Sequence, residues 1–376
     1  MAILGYSDQI NELKKIGECL RGGDFLESPF DYPVEEHRRG DPDQRDDNLN
    51  FPKKERQYIV INMEPGLADA KKRLHDIAYE PRFKYFLDGT LKTKYLGEYL
   101  EGNNNFPILS SEISCAVTEK VGSKLRPGRL EKRLAFIFPH KDSGLISDTK
   151  YDKLVRINQL WIDSGNYMRI EFLQKKTDEM DNIRYSMLGK ARDLMHKLES
   201  EVAQQLDTDD DWLIIDGAIR KSLFLKLKNT IGLAKSFSRN PIFDLGDGDP
   251  LMITSYLSRI KEGERTAVFR KETETEGFIF WYVKLRDFPP MEPLGGIVKI
   301  DFSYEGNELS EDTLSIIDEI SAEVYSMRFP SLYPEPRWPS YIYPIRLAER
   351  IMQSSYLNSE IIGIFGRELR KTIHGV

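Results

Sequence analysis

The hydrophobic and polar positions of the chain alternate between short apolar runs and longer amphipathic segments. Arg133–Pro139 (RLAFIFP) and Trp212–Ile215 have the length and composition of buried β-strands. Residues 7–21 repeat apolar side chains at helical spacing, 178–206 holds no proline and one glycine, and 310–327 opens with a Ser-Glu-Asp helix start. Strands and helices are interspersed, which predicts an α/β fold with a mixed central sheet.

Other segments complete this prediction. Strand-like composition recurs in seven further places, which are 82–87, 107–120 (strand or short helix), 167–173, 230–234, 267–270, 278–285 and 297–302. Helix is predicted for 66–78 and for most of the chain after Ile345. The segment 28–56 is dense in Pro, Asp, Arg and Asn, so we expect an exposed loop or insertion there. These patterns predict an N-terminal helical and irregular extension over 1–80, followed by one main domain over 81–376.

Composition narrows the class of protein. Among the 376 residues, 40% are hydrophobic and 31% are charged, which is typical of a folded chain. No apolar run is long enough to span a bilayer, and the N-terminal segment lacks the apolar core of a leader peptide, so no membrane association is expected. Cys19 and Cys115 form neither a disulfide framework nor a metal motif. A cytoplasmic protein is the expectation.

Two predicted strands run into an Asp-Gly pair, at Asp88-Gly89 and at Asp216-Gly217. An apolar strand holds its last residue rigidly, and the glycine lets the chain turn sharply and a ligand approach the backbone. Carboxylates on neighbouring strands suit Mg²⁺ or Mn²⁺, which prefer oxygen ligands. Phosphodiester hydrolysis often uses two such ions about 3.5–4 Å apart. Asp-Gly is also a common turn signal, so a plain turn is the alternative at each place.

A basic segment follows the second of these pairs. Although the chain has a formal net charge of −7, no acidic residue occurs between Gly217 and Phe243. Lys235, at the end of a predicted strand, is our first candidate for a contact with a nucleic-acid phosphate. An ordinary amphipathic hairpin with solvated lysines is the alternative. The candidate phosphate-binding residues of this segment are Arg220, Lys221, Lys235 and Arg239.

The order of these features resembles the NurA family of prokaryotic DNA nucleases, whose fold is RNase H-like and related to the Piwi domain. Asp88-Gly89-Thr90 is similar to the first aspartate motif of that family, and Leu213–Ile219 is similar to the second. Thr230–Ser236 resembles its Gly-x-x-Lys strand, and Tyr341–Glu349 resembles the Tyr-Pro segment that leads into its last helix. The resemblance covers roughly residues 80–376, and it depends on the order and strand context of the motifs.

The resemblance implies further site residues. The family has a metal-binding glutamate on the helix before the second aspartate strand, which here is Glu199 or Glu201. These two lie about 200° apart around a helix, so one of them faces the sheet, and we prefer Glu199. Where the family carries a histidine in its last helix, this chain has Glu349, which departs from the pattern. Tyr341 falls at the position of a functional tyrosine. The implied ligands of one or, as we expect, two Mn²⁺ or Mg²⁺ ions are Asp88, Glu199, Asp216 and Glu349.

Partners also follow from the resemblance. It implies a DNA nuclease that forms homodimers and works with a HerA-type hexameric ATPase in DNA end processing or in antiphage defence. Two alternatives stay open, namely an inactive NurA-like interaction subunit and an RNase H-like enzyme that acts on RNA. The chain has no Gly-x-x-x-x-Gly-Lys-Ser/Thr loop and no His-x-x-x-His pair, so neither ATP hydrolysis nor a zinc site is expected.

Overall fold

A computed structural model of the protein describes residues 5–27, 58–64, 72–173, 180–219, 227–239, 241–244, 251–271, 277–287, 294–330 and 338–375. The α-helices in these ranges are α1 (Tyr6–Cys19), α2 (Asp148–Asp163), α3 (Met180–Ala203), α4 (Ile253–Leu257), α5 (Glu311–Ser326), α6 (Tyr343–Ser354) and α7 (Ser359–His374). Short 3-10 helices cover Lys141–Ser143 and Trp338–Ser340. The helices predicted over 7–21, 178–206 and 310–327 are confirmed as α1, α3 and α5.

The remaining elements are β-strands, which join into one large mixed sheet. In chain order they are β1 (Asp24–Glu27), β2 (Tyr58–Asn62), β3 (Lys72–Arg73), β4 (Phe83–Glu101), β5 (Asn104–Val121), β6 (Lys124–Phe138), β7 (Met168–Phe172), β8 (Trp212–Asp216), β9 (Thr230–Ala234), β10 (Pro241–Asp244), β11 (Leu251–Met252), β12 (Glu264–Arg265), β13 (Phe269–Lys271), β14 (Gly277–Lys284) and β15 (Ile297–Tyr304). The predicted α/β class is therefore confirmed.

Five adjacent strands form the centre of the sheet, in the order β6-β5-β4-β8-β9. The strands β4, β5 and β6 form an antiparallel meander. The strand β8 then runs parallel to β4, and β9 runs parallel to β8. The sheet continues through β7 on one side and through β15 and β14 on the other.

Two local predictions are wrong. The helix expected over 66–78 is replaced, in its described part, by the short strand β3 and a turn, because Lys72 and Arg73 pair with β12. The strand expected to end at Asp88 continues to Glu101. It continues because β5 pairs with it residue by residue, so that the backbone of Gly89 is extended opposite Cys115 instead of turning.

Helices cover both faces of the central strands. On one face, Leu194, Leu198 and Val202 of α3 pack against a cluster that includes Leu87 and Val117. On the other face, Ala348 and Met352 of α6 pack against Ala116. We call these the α3 face and the α6 face. Because side chains alternate along a strand, Leu87 and Asp88 point to opposite faces, and Asp88 points to the α6 face.

The N-terminal helix shares a hydrophobic core with the C-terminal one. Leu13 and Ile16 of α1 belong to the same buried cluster as Phe365 and Leu369 of α7. The boundary near residue 80 stays a prediction, and the segment 28–56 lies outside the described residues. Within the ranges given above, no helix combines the length and the apolar character needed to cross a membrane.

Candidate functional site

Asp88 and Asp216 lie side by side on the α6 face of the sheet. The parallel register of β4 and β8 pairs Leu87 with Ile215, so the two aspartates occupy the next row. Leu87 and Ile215 point into the cluster under α3, which sends both carboxylates to the opposite face. The sequence prediction that these two aspartates are neighbours is confirmed by this geometry, although one is at a strand end and the other is within a strand.

Glu349 joins them from the helix that covers this face. Helix α6 has Pro344 in its first turn, where a missing backbone N–H costs nothing, and Ala348 anchors it on Ala116. One carboxylate oxygen from each of Asp88, Asp216 and Glu349 lies within 4.8 Å of the others. Three residues distant in sequence therefore converge, and we call them the carboxylate group.

Lys235 lies inside this group. Its ammonium Nζ donates to Asp216 Oδ2 at 3.0 Å and to Glu349 Oε1 at 3.0 Å. The side chain is only 6% exposed. Burial on its own lowers the pKa of Lys235, but the carboxylates of Asp216 and Glu349 outweigh that effect and raise the pKa above its usual value. Lys235 is therefore a buried ammonium ion.

Two further residues hold this arrangement. Arg346 donates from Nη1 to Glu349 Oε2, the oxygen that Lys235 does not use. The ring of Tyr341, which is buried, lies 4.9 Å from Lys235 Nζ and 5.3 Å from Arg346 Cζ. Although burial raises the pKa of Glu349, Lys235 and Arg346 lower it by more, so this carboxylate is ionised. Arg346 was missed as a site residue, although its spacing of three from Glu349 on a helix is a signal for an ion pair.

Asp88 has no such partner. It is 6% exposed, and among the described residues it has no hydrogen bond and no ion pair. Burial first, and then repulsion from Asp216, raise the pKa of Asp88 well above its usual value. A buried carboxylate without a donor is unfavourable unless a cation or a proton neutralises it. This orphaned carboxylate, in a group of oxygen donors, fits a hard divalent cation.

Glu199 lies behind the carboxylate group, on the α3 face. It is 4% exposed, its Oε2 is 2.8 Å from His196 Nδ1, and it packs under Gly89. A Cβ atom on Gly89 would come within 2.7 Å of Glu199 Cδ. Glu201 points away, is 37% exposed and pairs with Arg133. Of the two glutamates, Glu199 therefore faces the sheet, but it is not one of the three carboxylates that lie within 4.8 Å of one another.

The turn after Asp216 depends on two glycines. Gly217 has φ 108°, which favours glycine, and its N–H donates to Leu233 O at 2.9 Å. The backbone of this turn passes close to Gly232 of β9. A Cβ atom at Gly232 would lie 2.7 Å from Gly217 O and 2.7 Å from Ile219 N, so there is no space for a side chain. The Gly-x-x-Lys pattern therefore combines a close backbone approach at Gly232 with the ammonium of Lys235.

The predicted phosphate-binding residues are spread more widely. Arg239 is exposed at the end of a described range. Arg220 and Lys221 lie outside the described residues. Lys235 contacts carboxylates in this structure, so a contact with phosphate stays a prediction.

Comparison with known proteins gives the family. A family model described as the NurA domain matches residues 95–351, more than half of the chain. The chain belongs to the NurA family. The resemblance seen in the sequence is thus confirmed, and membership supports a nuclease. The matched region contains Glu199, Asp216, Lys235 and Glu349 and begins after Asp88.

The solved structures that match this NurA protein include the NurA nuclease from Sulfolobus solfataricus, with 13% sequence identity and a TM-score of 0.37, covering 80% of this chain and 88% of that one. No curated protein sequence matches the chain significantly.

Proposed function

We propose that this protein is a metal-dependent DNA nuclease that hydrolyses phosphodiester bonds, as an exonuclease, an endonuclease or both. The observation that carries this proposal is the carboxylate group, in which Asp88 is buried without a hydrogen bond or an ion pair to any described residue. Family membership supports nuclease activity, and the donor set supports the metal. All donors of the group are carboxylate oxygens, which are the ligands that Mg²⁺ and Mn²⁺ prefer.

Each residue of the site has a distinct task in this proposal. A bound Mn²⁺ or Mg²⁺ supplies an activated water and stabilises charge on the scissile phosphate. Asp88 and Asp216 would hold the ion from rigid strands, and Glu349 would complete the group from α6. Glu199, behind Gly89, is proposed as the remaining carboxylate of the site. The ring of Tyr341 contacts the Lys235 ammonium and limits its movement. Together with the ion pairs of Lys235, this contact would hold the ammonium beside the reacting phosphate.

The substrate is proposed to be DNA, held in part by basic residues around the second aspartate. Arg220, Lys221, Lys235 and Arg239 belong to a segment without acidic residues, in a chain whose net charge is −7. A local positive field next to the metal attracts phosphates even when the whole protein is acidic. We therefore expect binding that weakens as the salt concentration rises.

Family membership also supports a proposal about partners. The protein would act as a homodimer in the cytoplasm with a HerA-type hexameric ATPase, in DNA end processing or antiphage defence. Mixing the purified protein with such an ATPase and measuring the mass of the complex by light scattering tests this part. Two separate species at micromolar concentrations would contradict it.

The nuclease proposal is tested by incubating the full chain with single-stranded DNA, duplex DNA and RNA, with Mn²⁺, with Mg²⁺ or with a chelator. We expect DNA cleavage that needs the metal. Asp88→Asn and Asp216→Asn should each reduce the rate at least about 100-fold, because a metal ligand is lost. Asp209→Asn is the matched control, since that carboxylate is 79% exposed and precedes β8, the strand that ends at Asp216.

The outcomes separate the alternatives. Full activity in either site variant, with an unchanged melting temperature, would refute the assignment of the site. Cleavage of RNA alone would favour the RNA enzyme. Binding to the ATPase without any cleavage would favour an inactive interaction subunit.

A further inference from the structure

Within the carboxylate group, the Lys235 ammonium contacts two of the three carboxylates, those of Asp216 and Glu349. We propose that this ammonium is a built-in cation, and that the centre therefore binds one divalent ion instead of two. This inference rests on the proposed metal-dependent function, and it replaces the expectation of two ions.

Some oxygen atoms of the group accept hydrogen bonds from Lys235 and Arg346, and the others are left for a metal ion. Glu349 uses Oε1 for Lys235 and Oε2 for Arg346. Asp216 uses Oδ2 for Lys235. Within the described residues, the oxygens of the group that accept no hydrogen bond are Oδ1 of Asp216 and both oxygens of Asp88. These are few and adjacent, which suits a single ion completed by water and phosphate oxygens.

Charge balance also favours one divalent ion. Three carboxylates with one ammonium and one guanidinium leave the buried group with a single negative charge. One divalent ion and one phosphodiester, which carries one negative charge, bring the assembly to neutrality. Two divalent ions would leave two uncompensated positive charges in a buried place, which is unfavourable. This balance counts the groups on the α6 face; Glu199 lies on the α3 face, where its Oε2 is 2.8 Å from His196 Nδ1.

The ammonium is also held in place. Lys235 directly follows strand β9. The turn after Asp216 packs against Gly232 of that strand. The Tyr341 ring lies 4.9 Å from Nζ, a favourable contact for a cation. Movement of Lys235 away from the group would leave Asp216 and Glu349 as buried carboxylates facing one another. The chain therefore favours a fixed ammonium over an exchangeable second ion.

Metal stoichiometry tests the inference without reference to activity. Metal-free full-length protein is titrated with Mn²⁺ by calorimetry, and the bound ions are examined by electron paramagnetic resonance in frozen solution. We expect one Mn²⁺ per chain and an uncoupled signal. Lys235→Met removes the charge at similar volume and should bind two ions per chain with a spin-coupled signal. Lys235→Arg keeps the charge and should bind one.

Lys228→Met is the matched control, since that side chain is 76% exposed, and it should also bind one ion. Two ions in the wild type would overturn the inference and leave the nuclease proposal intact. One ion in Lys235→Met, with a wild-type melting temperature, would overturn it as well. No bound ion in the wild type would overturn both this inference and the metal-dependent function. If Lys235→Met does not fold, the wild-type and Lys235→Arg stoichiometries still decide.

Discussion

The two Asp-Gly pairs look alike in sequence and differ in structure. Asp216-Gly217 ends a strand, and Gly217 has φ 108°. Asp88-Gly89 lies within β4, in extended backbone that is paired with β5 on both sides of the glycine. Gly217 is needed for its backbone conformation, whereas Gly89 is needed because the Glu199 side chain fills the space of a Cβ. One motif therefore satisfies two different physical requirements.

The two aspartates also differ in their electrostatic surroundings. Asp216 has an ion pair with Lys235. Asp88 has no partner within the described residues, and burial and Asp216 raise its pKa. The ammonium of Lys235 thus pairs directly with one aspartate, while the other has no hydrogen bond and no ion pair among the described residues. This asymmetry is what we expect of a site that is completed by an external cation.

The largest effect on stability is expected at Gly89. In Gly89→Ala the new Cβ collides with the Glu199 side chain, which is only 4% exposed and has to change its position. Overpacking of this kind costs about 1–3 kcal/mol. We expect that loss in the unfolding free energy, measured with urea, and a fall in DNA cleavage of at least about tenfold through displacement of Asp88.

Two variants sharpen the interpretation of Gly89. In Gly89→Ala/Glu199→Ala the collision is removed, so stability should return while cleavage stays low if Glu199 contributes to the site. Gly189→Ala is the control, because nothing lies within 4 Å of a Cβ at that helical glycine, and there a gain of about 0.5–1 kcal/mol is expected. A Gly89→Ala protein as stable as the wild type would show that the explanation by Glu199 is wrong.

Part of the site was predictable because its signals are local. The strand-like runs before Asp88 and Asp216 need only periodicity, as does the conclusion that only one of Glu199 and Glu201 can face the sheet; the preference for Glu199 came from the family resemblance. The extension of β4 beyond Asp88 was not predictable, because Asp-Gly is a local turn signal and the pairing with β5 that overrides it is a tertiary interaction. The same holds for Lys235, whose contacts with Asp216 and Glu349 depend on three separate elements.

Helical spacing and the family resemblance together favoured Glu199 as the glutamate that faces the sheet, but they could not show which face of the sheet it meets. The answer depends on the side of β4 to which Asp88 points and on the face against which α3 packs. The carboxylates of Asp88 and Glu199 therefore lie on opposite faces, a separation that single-element patterns do not contain.

A smaller effect is expected at Gly217. No atom lies within 4 Å of a Cβ there, so the cost of Gly217→Ala comes from the backbone angle alone. Strain at such an angle is about 1–2 kcal/mol. Unlike the loss at Gly89, this loss should not be rescued by Glu199→Ala. Urea unfolding of Gly217→Ala, of Glu199→Ala and of the double variant measures this loss. A rescue in the double variant would mean that the two glycines do not differ as the structure indicates.

The smallest effect is expected from Asp88→Asn in the presence of a chelator, where the two aspartates should respond with opposite signs. Removing the unpartnered charge of Asp88 relieves both its burial and its repulsion by Asp216, so the free energy of unfolding at neutral pH should rise. Asp216→Asn breaks the ion pair with Lys235 and should lower it. Urea unfolding of both variants at pH 7 measures the difference.

The pH dependence of the stability gain in Asp88→Asn tests whether it comes from removing the charge of Asp88. The pKa of Asp88 in the folded chain lies above the 3.8 of an unperturbed aspartate, so the folded state binds the proton more tightly. Wild-type stability therefore falls as the pH rises from about 3.8 through the folded pKa, and it is regained on acidification. The advantage of Asp88→Asn should shrink accordingly as the pH is lowered towards 4. Saturating Mn²⁺ should reverse the sign, because it stabilises the wild type and not the variant. An advantage that persists with Mn²⁺ would mean that Asp88 does not hold the ion.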